Sequence, residues 1–130
     1  MKKLSKLRTF QIGVPPKRGE GLRIGTTRRP PRGVPRNRWQ RDGYFDLWFP
    51  IVAPSAQLLD RTKDKDFDDP AVQRRFFEAY RRELSRPPAR HGVALLAALA
   101  RRIPIAIGCF CADESRCHRS VLRQEIMRRA

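Results

Sequence analysis

The sequence predicts an α/β fold: one small sheet of about four strands, at least partly parallel, flanked by about four helices. Three observations predict it. Ile103 to Cys111, IPIAIGCFC, carries no polar residue to mark a wet face, as in a strand buried on both sides in the middle of a parallel sheet. The segment before it is helical in period and would feed that strand. The segment after it, Cys117 to Arg129, has Val121, Leu122, Glu125 and Ile126 at helical spacing.

Taken in order, Thr9 to Val14 is a short strand closed by Pro15 and Pro16. Lys17 to Gly21 is a turn, and Leu22 to Thr27 a second strand. Residues 28–41 form a Pro/Arg loop in which Pro30, Pro31 and Pro35 each remove a backbone donor. Tyr44 to Ile51, YFDLWFPI, reads as an aromatic third strand, with Trp48 in the core; Trp39 and Tyr44 border the basic loop, where base stacking is an option. Ser55 is placed to cap a short helix over Leu58 and Leu59. Asp69-Pro70 pairs a cap with proline at the first helical position and starts a helix to Leu84. Val72, Phe76, Tyr80 and Leu84, with Phe77 beside them, are its apolar stripe. A further helix spans about Ala89 to Arg102, with Val93, Leu95, Leu96 and Leu99 inward and Gly92 weakening its first turn. His91 is an ordinary exposed residue.

With 130 residues the chain is expected to be one domain, residues 1–130, able to bury about two thirds of its unfolded surface without staples. No stretch approaches the ~20 apolar residues of a membrane span, which excludes membrane-spanning helices. The opening MKKLSKLRTF is basic but no apolar run follows, so a secretory signal is not expected and the cytoplasm is the default. Three cysteines cannot all pair within the chain, and their clustering argues against a disulfide framework. The 29 Lys+Arg against 13 Asp+Glu give a net charge of +16, dominated by arginine. Residues 17–41 hold nine basic residues and one acid. Such a field attracts polyanions, and Arg28, Arg29, Arg32 and Arg36 are the candidate phosphate or nucleic-acid contacts. A solvated basic surface with no such partner fits the same composition.

All three cysteines and one of the two histidines fall in residues 109–119, CFCADESRCHR, at a strand–loop–helix junction. In α/β sheets, ligands bind beyond the carboxyl ends of strands, beside the free N–H groups of the next helix. Four readings follow. Cys109, Cys111, Cys117 and His118 could ligate zinc, although the spacing is not a usual paired one and adjacent helical residues point about 100° apart; zinc is not the favoured cofactor. Cys117, at a helix N-terminus, or Cys111, at the strand end, could be a reactive thiol. Cys111 and Arg116 also span a loop similar in length to that of sulfur-transferring rhodaneses, but Asp113 and Glu114 inside it would repel an anion. His118 and Arg119 could bind phosphate with Arg28 and Arg32. The cysteines could also simply pack, with Asp113 or Ser115 serving the turn.

The stretches RRPPRGVPR (28–36), YFDLWFPIVAPSAQLL (44–59), FFEAYRREL (76–84) and IGCFCADESRCHRSVLR (107–123) resemble the YeaO-like branch of the bacterial family catalogued as domain of unknown function 488. The resemblance covers nearly the whole chain. The C-x-C-x5-C-H-R motif is its most specific part and Ala53-Pro54-Ser55 the next. Thr27 and Pro30 stand where members close to YeaO have Asp and Trp. The resemblance implies an α/β domain in which the cysteine motif is a site, and it implies no particular activity.

The expectation is therefore a small cytoplasmic protein with a site of Cys111, Cys117, His118 and Arg119, joined by Arg28 and Arg32. It would handle a phosphate-bearing small molecule or nucleic acid, with thiol chemistry as one mode: Cys117 as thiolate, His118 moving a proton and the arginines clamping phosphate. No carboxylate–histidine–nucleophile set is visible. The alternative is a non-catalytic nucleic-acid or protein-binding module whose cluster holds zinc or packs.

Overall fold

A computed structural model of the chain describes residues 7–129. Four strands, β1 (Leu7–Gln11), β2 (Leu22–Gly25), β3 (Leu47–Trp48) and β4 (Ile105–Cys109), form one sheet in the order β1-β4-β2-β3. All its pairings are parallel: β4 meets β1 with Leu7 beside Ile105 and β2 with Leu22 beside Ile105. The apolar run therefore occupies the interior of the sheet, and every residue of β4 is buried. Four helices follow the expected positions: α1 (Ala56–Thr62), α2 (Pro70–Leu84), α3 (Ala89–Ala100) and α4 (His118–Arg129). Most of the basic opening segment, residues 1–6, lies outside the described residues.

The two faces of the sheet are covered differently. Leu7, Ile24, Ile105 and Ile107 point toward the helices and join Phe76, Tyr80, Leu84, Val93, Leu96, Val121, Leu122 and Ile126 in one core. Burying an aliphatic or aromatic side chain of this size contributes about 1.5–3 kcal/mol. The opposite face, with Phe10 and Ala106, is covered by none of the four helices among the described residues. It is closed by the loop segment carrying Trp39 and Phe45, whose rings meet edge-on with centroids 4.9 Å apart. Gly25 and Gly108 are register partners on that face. A Cβ on Gly25 would run into the Phe45 ring and one on Gly108 into the Phe10 ring, so both positions must be bare for the rings to lie on the sheet.

Local chemistry explains the helix starts. The Ser55 hydroxyl accepts from the Leu58 N–H at 3.0 Å, and the Asp69 carboxylate accepts from the Ala71 N–H at 2.9 Å. Three expectations are corrected. The aromatic stretch is a strand only at Leu47–Trp48, because Phe45 plugs the second face and Pro50–Val52 turns as a short 3-10 segment. Trp48 is half-buried and donates its indole N–H to the Thr27 carbonyl at 2.8 Å. Leu95 is 56% exposed, since α3 packs through Gly92, Val93, Leu96, Ala97 and Ala100 instead. Gly92 sits where a Cβ would come 2.7 Å from Val52, so its bareness serves a close approach.

Candidate functional site: a cysteine–histidine floor under a basic rim

The carboxyl end of β4 delivers Cys109 and Cys111, and the chain returns through a turn at Glu114–Arg116 to α4. Asp113 caps that turn, accepting from the Ser115 N–H at 3.0 Å and the Ser115 hydroxyl at 2.7 Å, and these bonds hold its carboxyl below the usual range. Glu114 accepts the Thr9 hydroxyl at 2.6 Å. Both acids are thus engaged along the turn, and neither lines the pocket described below.

Cys117 is extended, at φ −106° and ψ 146°, and His118 is the first helical residue. The break in conformation between them reverses the expectation that adjacent side chains diverge. The His118 Nδ1 lies 3.8 Å from the Cys117 sulfur and 3.7 Å from the Cys109 sulfur. These three donor atoms all lie within 4.8 Å of one another, and all three residues are buried. The Cys111 sulfur is 3.9 Å from that of Cys109 but stands outside the tight group. Cys111 is exposed, whereas Cys109 and Cys117 are not, and none of the three is in a disulfide.

The ring of His118 is fixed from behind. Nε2 faces the Thr26 carbonyl at 2.9 Å, and a carbonyl can only accept, so the proton sits on Nε2 and the Nδ1 lone pair faces the sulfurs. Burial lowers the His118 pKa to about 4, against the opposing pull of the Thr26 carbonyl, so the imidazole is neutral at pH 7. The thiols share their protons unevenly. Hydrogen bonds from Cys109 and then Cys117 hold the Cys111 thiol down, and the same donations push Cys109 and Cys117 up. Cys111 is thus the accessible sulfur of the three, and its thiol is the one held down.

Arg119 is buried and reaches back along the strand. Its NH1 donates to the Cys111 carbonyl at 2.6 Å and lies 3.5 Å from that of Cys109, while its Nε has no partner among the described residues. It therefore props the floor from beneath and does not line the pocket.

Above the cysteines opens a pocket of about 880 Å³. Its walls include Pro30, Pro31, Phe67, Phe76 and Phe110; Arg28, Arg29, Arg32, Lys63 and Arg116 also border it, and Cys109, Cys111, Cys117 and His118 form its floor. The Pro/Arg loop therefore meets the cysteine motif. Its arginines have different lots. Arg28 donates to the carbonyls of Pro54 and Ala53 at 2.9 and 3.0 Å, which ties the loop to the Ala53-Pro54-Ser55 turn. Glu83 holds the same turn by accepting from the Ser55 N–H at 2.9 Å. Arg29 and Arg32 are exposed at the rim. Arg36 lies over Trp39 at 5.3 Å and borders a separate hollow. Sequence reasoning missed Lys63 and Phe67, which the charged connection after α1 contributes; it also missed the Thr26 carbonyl, because a backbone acceptor leaves no mark in composition.

A family model described as the active DUF488-N3 subclade matches residues 7–130. The chain belongs to the DUF488 family. The match spans every part of the DUF488 chain that builds the pocket, and it is compatible with the YeaO-like resemblance. No curated protein and no solved structure was found to match. Among the described residues, no helix of this DUF488 protein is long and apolar enough to cross a membrane.

Proposed function

We propose that the pocket binds a phosphate-bearing organic ligand, a nucleotide either free or within a nucleic-acid strand. One observation carries this reading: apolar and aromatic walls stand under a rim of exposed cations at the carboxyl end of a parallel sheet. Pro30, Pro31, Phe67 and Phe110 offer a base or sugar an apolar slot, and Arg29, Arg32 and Lys63 offer a phosphate its countercharge. Arg116 is half-committed, since it also pairs with Asp68. On this reading residues 1–130 act as one cytoplasmic domain, and Cys111 is the first floor group the ligand meets.

The exposure of Cys111 on the pocket side makes its sulfur the floor atom open to a bound ligand.

Fluorescence-polarisation titrations of a labelled single-stranded oligonucleotide, with free nucleotides as competitors, test the binding at two salt concentrations. Binding should weaken with salt, and the double substitution Arg32→Gln, Lys63→Gln should weaken it by about tenfold, as expected for losing two phosphate contacts. Arg36→Gln, outside the pocket, should leave free-nucleotide competition unchanged. Absence of binding to either ligand at low salt would end the proposal, as would equal binding by the double variant.

A further inference from the structure

We infer that the floor of the pocket is a zinc site, held by the Cys109 and Cys117 sulfurs and the His118 Nδ1 and closed on the pocket side by Cys111. The inference is independent of what the pocket binds, and its readout is the metal itself.

Distances carry it first. Tetrahedral zinc with Zn–S about 2.3 Å and Zn–N about 2.0 Å sets sulfurs about 3.8 Å apart and a sulfur and nitrogen about 3.6 Å apart. The Cys109–Cys111 sulfur separation is 3.9 Å, and His118 Nδ1 stands 3.7 and 3.8 Å from Cys109 and Cys117. Three edges of the tetrahedron are therefore within a few tenths of an ångström of their metal-bound lengths. The imidazole lone pair is aimed between two thiols, which as donors bond it only weakly at such range.

The surroundings carry it second. Metal-bound histidines characteristically donate the far ring N–H to a carbonyl or carboxylate, which is what His118 does to Thr26 at 2.9 Å. Charge carries it third. Three thiolates around a divalent cation leave one negative charge, and the buried Arg119 guanidinium, without an acid partner among the described residues, stands beneath the cluster to meet it. Each ligating thiol gives up its proton to solvent as the ion enters. Cys111 stands outside the tight group with its sulfur 3.9 Å from that of Cys109, and it is the exposed cysteine left to supply the fourth ligand.

The full chain, reduced and stripped with chelator, should take up one zinc per chain by elemental analysis and by native mass spectrometry. Cobalt(II) in its place should give the intense visible bands of a tetrahedral site and near-ultraviolet thiolate-to-metal charge transfer. Cys117→Ser and His118→Ala should each weaken zinc binding at least about 100-fold in chelator competition, more than the 10–100-fold typical of supporting residues; circular dichroism checks that they fold. Cys111→Ser, at an exposed position where misfolding is not at issue, should bind more weakly than the wild type. A folded wild-type chain that takes up no zinc, or gives only octahedral cobalt bands, would overturn the site. Undiminished zinc binding by Cys111→Ser would overturn the assignment of its fourth ligand. Either failure would leave the nucleotide titrations unaffected, so the two readings fail separately.

Discussion

Two arginines are equally deep in this molecule, each 3% exposed, and they are neutralised in opposite ways. Arg23 lies on the side of the sheet closed by Trp39 and Phe45, with an acid beside it. Glu20 pairs with its Nε at 2.8 Å, the carbonyls of Gly43 and Val14 accept from its two terminal nitrogens at 2.8 and 2.7 Å, and its guanidinium lies 4.0 Å over the Phe10 ring. Arg119, under the cysteine motif, has carbonyls but no carboxylate among the described residues. A buried cation without a countercharge is costly, so the two differ: Arg23 has its own acid, and on the zinc reading Arg119 meets the charge of the cluster.

The largest expected effect breaks the first half of that contrast. Glu20→Ala strands the Arg23 charge and should cost about 3–5 kcal/mol in urea unfolding, because removing one partner of a buried pair leaves the other uncompensated. A cost near zero would show that Gly43, Val14 and Phe10 suffice, and the two arginines would no longer differ in kind. Arg119→Met sharpens the second half. It should cost about 1–3 kcal/mol through the carbonyls it leaves unbonded, and it should also loosen zinc by about tenfold, an effect Arg23→Met should not share. Equal zinc affinities in the two variants would detach Arg119 from the cluster. The smallest effect belongs to a third arginine. Arg116→Gln removes an ion pair with Asp68 whose side chains are 40% and 77% exposed, so stability should change by less than about 1 kcal/mol. Its nucleotide affinity should nonetheless fall; an unchanged affinity would mean that Arg116 belongs to Asp68 alone.

The parts of the fold legible in the sequence are those in which one segment's pattern admits one environment. Residues 105–109 have no polar side to turn to water, and Asp69-Pro70 followed by a four-residue apolar stripe can only begin a buried-faced helix. Illegible parts depend on what a distant segment does. The aromatic run around Tyr44 has strand composition, yet its Phe45 is needed as a plug over Gly25, and that need appears only once the two are neighbours. The same holds at the site. The motif's spacing marked the place, but a helical reading of Cys117 and His118 sends their side chains apart, and only the extended backbone of Cys117 lets them converge. Arg28 stands out in the sequence by its company of basic residues; its bonds to the carbonyls of Ala53 and Pro54, which tie the loop to that turn, are silent in sequence.

The position of β4 has a consequence for biosynthesis. This strand is the last of the four in the chain yet lies between β1 and β2, with nearly a hundred residues separating Leu7 from its partner Ile105. While the polypeptide emerges from the ribosome, β1 has no neighbour to hydrogen-bond and β2 can pair only along its β3 edge, so the nascent chain must wait with open strand edges until the CFC segment clears the exit tunnel. Closure then joins remote segments in one late step, which makes assembly slow and leaves the growing intermediate exposed to aggregation or dependent on chaperones.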